Sequence, residues 1–422
     1  MMFERLRQVS ANLLPGEIWV AGIAVAASMV SFPLLPWAIV IMLVFWLARW
    51  IACGKLSQRT PTDMGIGIIV LMGIISIWTT AVPEVTLTQV YRLISGVVLF
   101  YAIVNWAKSP VRLWWIYTGV VVTGAVLALG AAFSVEWAAY KIPVIPASFY
   151  EKFTLLVSDT VNPNVLAGSL VILFPVIVAL IVFGWREMRW AFRLPILVVA
   201  VGVAIVIILT QSRSAMIAFI FTLLLLPILR WRWAWIVVII LVVAGWVGIW
   251  FLRDQRIFDL PFVLWDFQEF GSRVEIWSRA IYMIQDFPIT GIGMGTFLDV
   301  ADQFYPFLMH SQGTVNHAHN LFLQVAVDLG VVGLIAWLSV LMAVFIVSWR
   351  VYVNGLQTDR IWLMGLGAGL LCSQIALVVH GLTDAVTWGM VRPAPVVWAL
   401  WGVVMATWNV WIGSNIRAHI EA

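Results

Sequence analysis

Twelve mainly apolar stretches, each about the length of a helix that crosses a hydrocarbon layer, divide this chain of 422 residues. A spanning helix takes about 20 such residues. They fall near 16–31, 34–52, 64–82, 89–106, 112–133, 164–184, 194–210, 214–229, 233–252, 320–348, 361–380 and 394–412. In hydrocarbon a backbone has no water to bond, so each stretch must close its own hydrogen bonds as a helix. Composition points the same way: 63% of the residues are hydrophobic and 10% charged, against about 25% charged in a soluble domain. The expected fold is an all-α integral membrane protein, a single polytopic domain over 1–422, surrounded by membrane lipids and with no nucleic-acid partner. Pro33 and Pro36 separate the first two stretches, and Pro110, Pro195, Pro227 and Pro261 mark further junctions where helices are expected to stop.

Basic residues set the orientation. With the start of the chain inside, the inner segments collect Arg5, Arg7, Arg49, Lys55, Arg59, Lys108, Arg112, Arg186, Arg189, Arg193, Arg230, Arg232, Arg350, Arg360 and Arg417, against few acids. Twelve spans with both ends inside follow. The first stretch, after Arg5 and Arg7, lacks a small-residue cleavage site and reads as a retained anchor. Cys53 and Cys372 both lie in or beside apolar spans, so neither a disulfide framework nor a metal cluster is expected. Three outer segments are unusually polar: 134–163, 253–319 and 381–393. The second, between spans nine and ten, is much longer than a helix connection needs, and such loops are often functional. Within it GSRVEIWSRAIYMIQDFP spaces Val274, Trp277, Ile281 and Ile284 as a helical stripe, which predicts a short amphipathic helix on the outer face.

Arginines at the outer boundary need a reason. Arg92 stands near the outer end of span four, and Arg213 sits in a polar knot, Gln211, Ser212 and Ser214, between spans seven and eight. Arg273 and Arg279 lie on the amphipathic helix. Bland readings exist: Arg92 snorkels to headgroups, and Arg279 pairs with Glu275 one turn earlier. Arg213 resists them, since ionisable groups at membrane depth are functional candidates by default. A guanidinium is a permanently charged fork suited to phosphate oxygens, and several together suit a pyrophosphate.

Two of the five histidines stand in TVNHAHNLFLQV, at His317 and His319. On a regular helix, positions two apart point about 200° away from each other, so from a helix start one ring at most faces a given cavity and both cannot bind one metal, whereas in an extended segment they could. Two histidines without a third and fourth ligand are a weak metal signal, and no metal or other cofactor is expected. The remaining readings are a hydrogen-bonded boundary histidine or a general base, for which an unperturbed pKa of about 6.5 is suited. Asn316 is expected to cap the helix that follows. Asn162 and Asn164, around Pro163, stand at the mouth of span six, as caps or as glycan or phosphate contacts. His380 and Asp384, four apart at the outer end of span eleven, are spaced to pair. TGIGMGTF follows no strand and reads as a tight turn, and no Asp-x-Asp stands on the outer side.

TQSRSA with Arg213, then GSRVEIWSRAIYMIQDFPITGIGMGTF, then HAHNLFLQVAVDLGVVGL, in that order and preceded by the NPN at 162–164, resemble the O-antigen ligase/polymerase superfamily of bacterial envelope enzymes. The resemblance covers roughly the last two thirds of the chain. It implies a metal-independent inverting glycosyltransferase in the inner membrane with its active site facing the periplasm. The implied donor is an undecaprenyl pyrophosphate-linked glycan. His319, which precedes Asn320, matches the family's general base, Arg213 the arginine on the leaving pyrophosphate, and Arg273 the loop arginine; Arg92 is carried over with them, and Arg279 stands beside them as a further pyrophosphate candidate. The acceptor is a lipid A-core for a ligase, a carrier-linked repeat for a polymerase, or a serine or threonine for a protein glycosylase. One long outer loop and modest length favour the ligase. A lipid-linked sugar flippase would carry ionic residues through both halves of the membrane, whereas here they gather at one face.

Overall fold

The computed structural model describes residues 2–30, 34–137, 147–150, 153, 155, 160–252, 267–309, 313–388 and 394–413. Helix makes up 81% of it, and among the described residues the extended structure is an isolated bridge between Val135 and Val161, so the chain is all-α. In order the helices are α1 (Met2–Leu13), α2 (Glu17–Val30), α3 (Leu35–Cys53), α4 (Asp63–Thr79), α5 (Pro83–Trp106), α6 (Pro110–Ser134), α7 (Ala147–Tyr150) and α8 (Pro163–Gly184). There follow α9 (Trp190–Leu209), α10 (Arg213–Arg230), α11 (Ala234–Leu252), α12 (Phe267–Asp286), α13 (Phe297–Phe304), α14 (Leu321–Gln357), α15 (Ile361–Gly381) and α16 (Pro395–Trp408).

Every apolar stretch of the sequence coincides with a helix. Among the described residues eight are long and apolar enough to cross a membrane: α3, α5, α6, α8, α9, α10, α14 and α15. Apolar helix also runs over Asp63–Thr79, Ala234–Gly248 and Pro395–Trp411, and α2 has 14 residues. At 1.5 Å per residue, the 17 residues of α4 reach about 25 Å, short of a hydrocarbon layer of about 30 Å. Twelve crossings therefore exceed what helix length alone establishes. Pro195 and Pro227 fall inside α9 and α10 rather than at their ends. Helices in apolar surroundings tolerate proline when neighbours satisfy the freed carbonyl. Pro261 lies outside the described residues.

The chain divides into two compact units. The first comprises residues 1–119, 276–351 and 385–422. Ala21, Met42, Val98 and Ala102 join α2, α3 and α5 in its core. α5 meets α16 at small residues: a Cβ on Gly96 would enter the Trp398 indole, and one on Gly402 would meet the Phe100 backbone. Where lipid is as apolar as leucine, such close backbone contact is what holds helices together. The second unit comprises residues 120–275 and 352–384. Ala179, Phe183, Leu226, Met364, Ala368 and Cys372 form its core between α8, α10 and α15. The buried Ser373 hydroxyl is satisfied by the Ile172 carbonyl at 2.6 Å.

Span ten is not one straight helix. Gly330 in α14 has φ 69° and ψ −179°, so the ladder breaks there. Backbone groups released at the break are taken up by the glycine-rich turn before α13. The Val331 N–H donates to Pro288 O at 2.7 Å and Ile292 N–H donates to Val327 O at 2.9 Å. A Cβ at position 330 would strike the Ile289 carbonyl. The TGIGMG stretch is the expected tight turn, with Gly291, Gly293 and Gly295 all at positive φ.

Candidate functional site

In the first unit the histidine segment is built on α14. Residues 314–320 are not helical, and His319 has φ 47°, a left-handed conformation that non-glycine residues adopt at a cost of about 1–3 kcal/mol and mainly at functional sites. Because the segment is not helical, the expectation that the two rings diverge is overturned: their centroids lie 4.1 Å apart. The His319 N–H donates to His317 Nδ1 at 3.1 Å. An accepting Nδ1 carries no proton, so neutral His317 holds its proton on Nε2. Helix α14 is capped by Asn320, not by Asn316: its Oδ1 accepts from the N–H groups of Phe322 and Leu323, both at 3.0 Å.

What anchors this segment is not marked by any motif in the sequence. The Ala318 N–H donates to Gln324 Oε1 at 2.7 Å, and Gln324 Nε2 donates to Asp328 Oδ1 at 2.9 Å. Gln324 and Asp328 are fully buried. The same carboxylate accepts from Gly295 N–H at 3.3 Å and, through Oδ2, from Trp388 Nε1 at 2.8 Å. A buried carboxylate with three donors thus ties the histidine segment, the glycine turn and residue 388 together. The only sequence signal was an acid one turn after a glutamine inside an apolar run.

Arg92 reaches this assembly through its neighbour. Its Nη1 donates to Gln89 Oε1 at 3.2 Å, and the Gln89 side chain lies where a Cβ of Gly295 would be. Ile276, Ala280, Met283, Phe297 and Val300 form an apolar core together with Val315 and Ala318 of the histidine segment itself. So the long segment 253–319 is largely folded where described, carrying α12 and α13; residues 253–266 and 310–312 lie outside the description. The packed face of α12 is Ile276, Ala280 and Met283, joined by Ile284 of the expected stripe, whereas Val274 and Ile281 of that stripe are exposed. Arg279 is half-buried with its guanidinium 6.0 Å from the centre of the Tyr282 ring. Between the two helices the Tyr305 hydroxyl donates to Asp286 at 2.5 Å. Burial first, and then this bond and the carboxylate charge, push the phenol up to about 12.

In the second unit Arg213 opens α10. The turn before it also contains a left-handed residue, Gln211 at φ 54°. Gln211 Nε2 donates to the Tyr150 hydroxyl at 2.7 Å, which donates to Leu209 O at 2.9 Å. Gln211, Ser212 and Ser214 are buried, and Arg213 is half-buried. Asn162 caps α8, accepting from the Asn164 N–H at 2.8 Å. His380 and Asp384 are buried at the end of α15, where the Asp384 N–H donates to His380 O at 3.1 Å. Arg273 is half-buried on α12.

Residues 198–338 match the family model described as O-Antigen ligase, about a third of the chain. No curated protein matches the chain. Inside the matched segment lie Arg213, Arg273, Arg279, His317, His319, Asn320, Gln324 and Asp328; Arg92, Asn162, Asn164, His380 and Asp384 lie outside it.

Proposed function

We propose that this chain is an O-antigen ligase, a reading supported by the match of residues 198–338 to the O-antigen ligase family model. It moves a glycan from undecaprenyl pyrophosphate to a hydroxyl of lipid A-core at the periplasmic face of the inner membrane, with inversion and without a metal. Twelve crossings with both ends cytoplasmic accompany this reading.

The observation that carries it is the histidine segment. His317 Nδ1 accepts a backbone N–H, so neutral His317 is a donor on its other nitrogen and not a base. His319 is the base. It takes the proton of the acceptor hydroxyl as that oxygen bonds to the anomeric carbon, and the bond from that carbon to the pyrophosphate oxygen breaks. The leaving pyrophosphate gains charge, and preorganised cations stabilise developing charge. Arg213 holds it, and Arg273, Arg92 and Arg279 contribute to the cationic surroundings. Asn320 fixes the start of α14. Asn162, Asn164, His380 and Asp384 are polar candidates for glycan contact.

Purified protein in detergent, given a defined lipid-linked donor and either lipid A-core or carrier-linked acceptor, tests this. Transfer to lipid A-core is expected. Transfer to the carrier-linked glycan alone makes it a polymerase, and absence of transfer to any hydroxyl overturns the enzyme reading in favour of a flippase, which needs two compartments.

A further inference from the structure

Helix α1 lies apart from the chemistry above, and among the described residues its apolar face is left exposed. Met2, Leu6, Val9 and Leu13 recur at intervals of four, three and four, one stripe of a helix, and they are 88%, 49%, 58% and 48% exposed. On the same helix Glu4, Gln8 and Asn12 make an opposite polar face, and Arg5 flanks the stripe.

This helix is not a loose tail. Arg7 Nε donates to Ala52 O at 3.0 Å, in the last turn of α3, where carbonyls lack helical partners. The elbow Leu14–Gly16 that follows α1 is held as well: the Trp106 indole donates to Pro15 O at 3.1 Å and packs edge-on against Trp19, centroids 6.3 Å apart. Docked at both points, α1 presents one side to protein and leaves both its polar face and its apolar stripe exposed.

Cations gather around it. Lys55, Arg59 and Lys108 are exposed on the turns at this end of the first unit, and Arg112 rests on the Trp106 ring at 5.3 Å. Lys108 is held below its ordinary pKa, by desolvation first and then by the charges of Arg49 and Arg112, which Cys53 partly opposes. Arg49 is itself paired with the buried Glu17. The remaining excess is positive.

We propose that α1 is an in-plane membrane helix whose apolar stripe enters the headgroup boundary of the protein's own bilayer, and that Arg5, Lys55, Arg59 and Lys108 select anionic phospholipid there. An amphipathic helix with basic flanks binds such a surface by apolar burial together with attraction to anionic headgroups. Each basic residue near an anionic surface is worth about fivefold in lipid partitioning.

The test uses the full chain in nanodiscs, with Cys53→Ser to remove the exposed thiol and a fluorophore on Leu6→Cys. In discs containing phosphatidylglycerol, the probe should be quenched by brominated acyl chains and protected from iodide, whereas one on Gln8→Cys should be open to iodide. Competition between brominated phosphatidylglycerol and phosphatidylcholine should favour the anionic lipid, with the preference falling about fivefold for each of Arg5→Gln and Lys108→Gln. Iodide access at position 6 in anionic discs overturns the in-plane placement. Equal quenching by both lipids overturns the headgroup selectivity. Disulfide trapping between two copies through position 6, in place of lipid quenching, shows a protein partner on this face and also overturns the proposal.

Discussion

Two helix starts invite comparison, one in each unit. At α10 and at α14 a non-glycine residue with positive φ, Gln211 at 54° and His319 at 47°, stands two positions before the first helical residue. The backbone solution is the same and its support is opposite. Gln211 anchors its own turn through its side chain, to Tyr150 and on to Leu209. The turn at His319 is anchored by others: Gln324 holds residue 318, Asn320 caps the helix, and Asp328 holds Gln324. The first turn positions the residue after it, Arg213. The second positions the left-handed residue itself, whose ring does the proposed chemistry.

The largest effect is expected at the histidines. His319→Ala should cut transfer by about 10²–10⁴, the usual value of a general base, while donor binding survives. His317→Ala should be clearly milder, and chelators should leave the wild type active. Equal losses from both substitutions, with chelator inhibition reversed by added zinc, would move the comparison to a metal site.

Arg213 comes next. Removing one preorganised donor typically costs about 10²-fold or more in rate, and Arg213→Lys should lose much of this because the fork is gone although the charge remains. Near wild-type turnover in a folded Arg213→Ala would end its pyrophosphate role.

Asp328 sharpens the contrast in support. Asp328→Leu leaves the donors of Gly295, Gln324 and Trp388 buried, at about 1–3 kcal/mol each, and should lower both thermal stability and turnover. Asp328→Asn keeps an acceptor oxygen and should recover part of each. If Asp328→Leu melted normally and turned over at the wild-type rate, the histidine turn would not depend on this carboxylate.

The smallest effect belongs to the other turn. Gln211→Ala keeps the left-handed backbone and loses the bond to Tyr150, so it should destabilise by about 1 kcal/mol. Gln211→Gly loses the same bond but gains a residue at ease there, so it should melt above Gln211→Ala. The reverse order would mean the positive φ is not what Gln211 supports.

Much of this was legible in the residues because apolar runs and helices share one cause. Each run became a helix, the glycine turn was recognisable from TGIGMG, and Asn162 capped its helix as the NPN spacing implied. Local capping competition was not legible. Asn316 and Asn320 both precede the apolar run, and only the backbone path decides that Asn320 reaches the N–H groups. On α12, Val274 and Ile281 formed as good a stripe as Ile276, Ala280 and Met283, and the apolar core formed with α13 selected the latter.

The sequence by itself determined an all-α chain of apolar helices, the candidate arginines and histidines at their ends, and a likeness over residues 198–338 to the O-antigen ligase family. These rest on hydropathy, helical periodicity and local order along the chain, all carried by neighbouring residues. Tertiary structure alone decided that α14 breaks at Gly330, that the two histidine rings touch, and that Asp328 gathers donors from residues 295, 324 and 388. Hydrogen bonds of that kind join residues up to 60 positions apart. A buried polar group must find its partners wherever folding brings them, and a linear pattern does not record where that is.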